Sequence, residues 1–185
     1  FCFPVSFLAF INILYSSYFD YFLSIDSYVI TLIISIIVGS GLIFLGEKTK
    51  KRINFIEQLL LIIFVYFLVS LLISLPFYFS NYQVTFINSI FESISGVTGT
   101  GFSVFKNIKY LDPTLILWRS SSQWLGGLYF LFFLILIFSN KQFNFKMNDL
   151  TFSGDGSINS ENNIRSLIFK IFTIYSILSI TIFLL

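Results

Sequence analysis

The segment SISGVTGTGFSVF, residues 93–105, holds the residues whose types and spacing could do chemistry. It contains three glycines, two threonines and three serines in a chain otherwise rich in Phe, Ile and Leu. Glycines allow backbone angles that turn successive carbonyl oxygens towards one axis, and threonines add hydroxyl oxygens. A ring of such oxygens can replace the water shell of an alkali cation. The competing interpretation is an ordinary surface turn, because Gly and Thr are common in loops.

Composition indicates that lipid surrounds most of the chain. Hydrophobic residues make up 56% and charged residues 11% of the sequence, whereas soluble domains carry roughly a quarter charged residues. The absence of His and the single cysteine, Cys2, exclude His-based triads, His metal sites, internal disulfides and zinc clusters. The net charge of +2 is too small to indicate a nucleic-acid partner. We interpret Cys2 as a buried apolar residue.

Apolar runs long enough to cross a bilayer as helices occur five times. They are residues 1–19, 28–46, 53–79, 113–139 and 164–185. A signal peptide is the competing interpretation of the first run, which lacks a basic start and a small-residue cleavage site. Pro76 is expected to kink or end the third helix. The chain starts with Phe and stops inside an apolar run, so we expect a fragment of a longer protein.

A basic run predicts the orientation of the chain. Residues 47–52, EKTKKR, contain four of the eleven basic residues, and such loops face the cytoplasm. The polar segment 140–163 is then a second cytoplasmic loop. We therefore expect a multi-pass membrane protein with a cytoplasmic N-terminus.

A short apolar segment, residues 84–95, is predicted to be a half-helix that enters from the outside. Twelve residues at about 1.5 Å each reach roughly half-way through the hydrocarbon. Thr85 is its predicted N-cap, and Asp112 is the predicted N-cap of the helix at 113–139. The C-terminal end of the half-helix carries partial negative charge and would favour a cation at residues 96–101. Non-helical backbone at this depth persists where protein buries it or where it lines a water-filled path. The half-helix before the loop and the long helix after it favour a filter over a turn.

Two charged residues are predicted near the same depth, where charges are costly and usually paired or functional. Our hypothesis is that Glu92 and Arg119 brace the filter without touching the ion. The alternative for Arg119 is that its side chain extends to the outer interface.

The sequence QWLGG at 123–127 is interpreted as structural, because small residues let helices approach closely.

Three ordered blocks resemble a known family. They are SLPFYFS at 74–80, FINSIFESISGVTGTGFS at 86–103 and LWRSSSQWLGG at 117–127. The chain resembles the Trk/Ktr (TrkH/KtrB) family of potassium uptake proteins in all three. The resemblance implies an all-α membrane protein of four linked helix–pore-helix–helix repeats around one pore, usually a homodimer. Residues 1–52 would supply two N-terminal transmembrane helices, 53–139 the first repeat, and 164–185 the start of a second.

The resemblance also implies the site and its ligands. One quarter of a K⁺ filter would be built by Val97, Thr98, Gly99, Thr100 and Gly101. It would be supported by Glu92, Ser95, Gly96 and Arg119. The family pattern has three consecutive threonines, and Gly99 replaces the middle one, which bears on discrimination of K⁺ against Na⁺. The transported ion would be the ligand, with no cofactor and no transition metal, and a cytosolic nucleotide-binding subunit could regulate transport.

Two other functions stay open from the sequence alone. An intramembrane hydrolase or acyltransferase would need a base, and without His that base would be Glu92 or an unusual Lys. The serines show no nucleophile-elbow motif. A non-conducting membrane scaffold or degenerate transporter fragment is the other alternative, because one repeat alone cannot build the pore.

Overall fold

A computed structural model describes residues 1–21, 25–46, 54–138 and 161–184. Its α-helices are α1 (Cys2–Tyr18), α2 (Ile25–Gly46), α3 (Phe55–Tyr78), α4 (Phe86–Val97), α5 (Pro113–Phe138) and α6 (Glu161–Leu184). A 3₁₀ turn at Ile108–Tyr110 precedes α5. Every regular element in these four ranges is helical, which confirms the predicted all-α class.

Within the described ranges, three helices are long and apolar enough to cross a membrane. They are Ile25–Gly46, Phe55–Tyr78 and Pro113–Ile137. The other two predicted spans correspond to shorter apolar helices, Cys2–Tyr18 and Ser166–Ile182. Seventeen residues rise about 25 Å as an α-helix, a little less than the roughly 30 Å hydrocarbon core. The basic run at 47–52 and most of the segment 140–163 lie outside the described residues.

The chain forms two compact units. The first comprises the described residues of Phe1–Arg52 and Leu61–Gly127, and it contains the segment singled out by the sequence. The second comprises those of Ile53–Leu60 and Leu128–Leu185. Within the second unit, Gln58 Nε2 donates a hydrogen bond of 2.7 Å to the Leu136 carbonyl, which connects its two segments.

Small side chains on one face of α2 let α1 pack closely against it. Ser27, Thr31, Ser35 and Gly39 recur every four residues and are all buried. A Cβ atom on Gly39 would lie 3.2 Å from the Cβ of Cys2. The Thr31 hydroxyl donates to the Ser27 carbonyl at 2.8 Å, so its polar atom is satisfied within the helix. Cys2 is buried in this packing, as predicted.

The first half of α5 is fixed by a buried tryptophan. Trp118 is 1% exposed, and its indole Nε1 donates to the Ile73 carbonyl of α3 at 3.0 Å. The Trp118 ring also packs on Tyr28 of α2, with centroids 5.6 Å apart. Asp112 caps α5 as predicted, because its Oδ1 accepts from the Thr114 N–H at 3.3 Å. These contacts hold the first half of α5 in place against α2 and α3.

α3 continues for two residues past its proline, and the Phe79 N–H still bonds to the Leu75 carbonyl at 2.9 Å. Pro76 lies within the helix, which stops two residues later at Tyr78. Pro76 and Phe77 are both buried, so the C-terminal end of α3 belongs to the core of the first unit.

Candidate functional site

The short helix that precedes the glycine-rich turn is present with its predicted length of twelve residues, and it lies two residues later in the chain than predicted. α4 runs from Phe86 to Val97, and Thr85 is its N-cap, with the Thr85 hydroxyl accepting from the Asn88 N–H at 3.4 Å. The sequence placed the helix end at residue 95 and the filter at 96–101. In the structure the helix begins and ends two residues later, so Gly96 and Val97 lie in its last turn. The Thr98 N–H still bonds to the Ile94 carbonyl at 2.9 Å.

α4 has a polar buried face and an apolar exposed face. Polar and small residues form the buried face: Ser89, Glu92, Ser93, Ser95 and Gly96. Large apolar residues form the exposed face: Phe86, Ile87, Phe91 and Ile94. This is the reverse of a helix on a water-soluble protein. The pattern suits a helix with lipid or other protein outside it and a polar site on its inner side.

Two glycines shape the turn that follows α4. Gly99 has φ +72° and Gly101 has φ +77°, angles that cost side chains with a Cβ about 1–2 kcal/mol. The Gly99 N–H bonds to the Gly96 carbonyl at 3.0 Å, and the Gly101 N–H bonds to the Ser95 carbonyl at 3.4 Å. Residues 98–101 are exposed. The chain thus folds back over the end of α4 and leaves the turn accessible.

Ser95 holds the turn from inside α4. Its hydroxyl donates to the Phe102 carbonyl at 2.6 Å. The Thr100 hydroxyl lies 3.3 Å from the Ser95 carbonyl and 3.1 Å from the Ser95 hydroxyl. The Thr98 hydroxyl donates to the Ile94 carbonyl at 2.7 Å. Both threonine side chains therefore bond to the end of their own helix.

Glu92 and Arg119 form a buried ion pair beneath the turn. Arg119 Nε lies 2.5 Å from Glu92 Oε1, and the two side chains are 11% and 0% exposed. Arg119 Nη2 donates to the carbonyls of Gly101 at 3.0 Å and Phe102 at 3.2 Å. The guanidinium thus bonds inward, and this geometry favours the brace hypothesis over extension to the outer interface.

The irregular segment after the turn, residues 102–105, is bound to the same carboxylate. The Ser103 hydroxyl lies 3.1 Å from both Glu92 carboxylate oxygens, and the Val104 N–H donates to Glu92 Oε2 at 2.9 Å. The Phe105 N–H in turn donates to the Ser103 hydroxyl at 3.1 Å. Sequence reasoning did not single out Ser103 or Val104. The available signal was a serine directly after the GTGF sequence, eleven residues from a buried glutamate.

The carbonyl oxygens of residues 97–101, which the sequence analysis proposed as cation ligands, have different surroundings. The Val97 oxygen lies against α5, where a Cβ added to Gly126 would be 2.0 Å from it. The Gly101 oxygen accepts from Arg119. Within the described part of the chain, the oxygens of Thr98, Gly99 and Thr100 accept no hydrogen bond. Three uncommitted oxygens therefore lie beside the negative end of α4.

These features define an all-helical membrane protein with an unwound, glycine-shaped turn held over a buried ion pair. Residues 24–185 match the TrkH family of cation transport proteins. Because the match covers most of the sequence, the chain belongs to this family. The family is one of transporters, so the enzyme alternative is set aside.

Three curated relatives illustrate the similarity. The Trk system potassium uptake protein TrkG of Escherichia coli is 27% identical over 106 residues, covering 57% of this chain and 22% of TrkG. TrkI of Halomonas elongata is 40% identical over 60 residues, covering 32% of this chain and 12% of TrkI. TrkH of Escherichia coli K12 is 28% identical over 99 residues, covering 53% of this chain and 20% of TrkH.

The chain therefore matches about a fifth or less of the length of these relatives. No solved structure matches it significantly.

Proposed function

We propose that this chain contributes one filter segment to a pore that carries K⁺, with Na⁺ as the competing ion. The backbone oxygens of Thr98, Gly99 and Thr100 bind the cation in place of water. Gly101 ends the segment, and Glu92, Ser95, Gly96 and Arg119 hold it in shape. In this arrangement α3, α4 and α5 form one helix–pore-helix–helix repeat, and other repeats of the complete gene product close the ring.

The observation that carries the proposal is the set of three uncommitted carbonyl oxygens in an exposed turn. Exposed polar backbone at membrane depth is costly unless it lines a water-filled path. The turn also follows the C-terminal end of α4, whose partial negative charge favours a cation. The positive charge of Arg119 is balanced by Glu92 at 2.5 Å, so the ion pair adds little net repulsion.

Transport in this proposal follows the electrochemical gradient. An inside-negative potential contributes about 2.3 kcal/mol per charge per 100 mV, which is enough to drive accumulation of a monovalent cation. No step requires ATP hydrolysis by this chain. The membrane is the bacterial inner membrane, with the N-terminus in the cytoplasm, and the complete protein is a homodimer regulated by a cytosolic nucleotide-binding subunit.

Growth of a K⁺-uptake-deficient bacterium that expresses the complete gene product tests the proposal. We expect growth at low K⁺, uptake of Rb⁺ as a tracer, and inhibition of that uptake by added K⁺. Uptake is then compared with K⁺ and Na⁺ as competitors. Normal membrane abundance with no cation uptake would support the non-conducting scaffold instead.

A further inference from the structure

We propose that Gly126 of α5 is a positioning residue that fixes the depth of the filter turn, residues 98–101. We also propose that the Val97 carbonyl packs against Gly126 and does not bind the cation. The inference rests on the proposed function and deepens it. It separates the oxygens that bind the ion from an oxygen that only supports the turn.

The contact at Gly126 involves backbone on one side and leaves no room for a side chain. A Cβ atom there would lie 2.0 Å from the Val97 oxygen, 2.6 Å from its carbonyl carbon and 2.8 Å from its Cα. A backbone cannot rotate away as a side-chain tip can. Gly126 and Val97 are both buried, so even one added methyl group must move one of the two helices.

A second close contact between α4 and α5 lies one helical turn away on α5. Residues 122 and 126 lie on the same face of α5. A Cβ atom on Gly96 would lie 2.4 Å from Ser122 Oγ and 3.4 Å from Ser122 Cβ. The Ser122 hydroxyl is occupied, because it donates to the Arg119 carbonyl at 2.7 Å. The last turn of α4, Gly96 and Val97, therefore rests directly on α5.

Of the two helices, α4 is the one that would move. α5 is fixed to α3 by the Trp118–Ile73 hydrogen bond of 3.0 Å. α4 has twelve residues and one exposed apolar face. Its last turn continues without a break into Thr98 and the filter turn. A shift at Val97 is therefore transmitted to the three oxygens that bind the ion.

Gly126→Ala in the complete gene product tests the inference, with Gly41→Ala as the matched control. Gly41 lies in α2 with no atom within 4 Å of an added Cβ, so the same substitution should leave uptake and ion preference unchanged. Both uptakes are expressed per molecule in the membrane, and we expect Gly126→Ala to lower the ratio of K⁺ uptake to Na⁺ uptake about tenfold. This change is equivalent to about 1.4 kcal/mol of differential binding. An unchanged ratio at normal membrane abundance would overturn the inference.

A rescue pair decides the outcome if Gly126→Ala does not accumulate. Gly96→Ala collides with a side-chain tip, and adding Ser122→Ala removes that atom and leaves a contact of 3.4 Å. We expect Gly96→Ala to lower the K⁺ to Na⁺ ratio and the double variant to restore it towards that of Ser122→Ala alone. An unaltered ratio in Gly96→Ala, or no recovery in the double variant, would overturn the inference. Absence of uptake by the unmodified protein would instead overturn the proposed function, and this inference with it.

Discussion

Arg119 lies 2.5 Å from Glu92 and donates to the Gly101 carbonyl at 3.0 Å. One guanidinium thus joins α5, α4 and the end of the glycine-rich turn, residues 98–101. The carboxylate of Glu92 also binds the irregular segment after the turn, because it accepts from the Val104 N–H at 2.9 Å. The pair therefore connects three segments that are distant in sequence, and its loss should affect all of them.

Glu92→Gln should lower both membrane abundance and K⁺ preference. The change leaves the Arg119 charge buried without its partner, which costs about 3–5 kcal/mol. It also leaves an uncompensated positive charge beside the turn. Rb⁺ uptake with Na⁺ competition, normalised to the amount in the membrane, checks this. Uptake and K⁺ preference equal to those of the unmodified protein would argue against the hypothesis that Glu92 and Arg119 support the turn.

The double variant Glu92→Gln with Arg119→Met separates charge from hydrogen bonding. Removing both charges avoids the buried unpaired ion, so abundance should recover relative to Glu92→Gln. The Gly101 and Phe102 carbonyls still lose their donor, so ion preference should stay altered. Thermal unfolding in detergent and the uptake ratio are measured on the same preparations. Full recovery of the ratio would show that Arg119 acts through charge alone.

Ser103→Ala should weaken the attachment of the segment after the turn without removing the ion pair. The Ser103 hydroxyl bonds to Glu92 and accepts from the Phe105 N–H. We expect a loss of about 1 kcal/mol in stability and a smaller change in ion preference than for Glu92→Gln. Ser120→Ala is the control, because its exposed hydroxyl bonds only within α5. Equal effects of the two variants would contradict a role for Ser103 at the turn.

Gly99→Thr, which restores three consecutive threonines, should impair this particular turn. The φ of +72° at Gly99 disfavours a β-branched residue by at least about 1–2 kcal/mol. We therefore expect reduced uptake and an altered K⁺ to Na⁺ ratio. A variant with normal uptake and higher K⁺ preference would mean that the turn adopts the conformation of the family pattern in the complete pore.

The sequence predicted the elements around the turn well, because local signals determine them. Thr85 and Asp112 are N-caps in the structure, as their positions before apolar runs predicted. The end of α4 was predicted two residues too early. Gly96 suggests a helix end, yet here its missing side chain makes room for Ser122.

The contacts of the site could not be derived from sequence in the same way. Arg119 meets Gly101 and Phe102 across 17 to 18 residues, and Ser103 meets Glu92 across 11. Such pairings depend on how α4 and α5 pack. The difference between the Val97 oxygen and those of the next three residues has the same origin, since it requires the approach of Gly126.

Anomalous scattering from Tl⁺ or Rb⁺ in an experimental structure of the complete protein tests the central claim most directly. We predict a monovalent-ion peak in direct contact with the carbonyl oxygens of Thr98, Gly99 and Thr100, and none at the Val97 oxygen. An ion peak elsewhere in the pore, with the oxygens of these three residues turned towards lipid or towards other protein groups, would contradict the account.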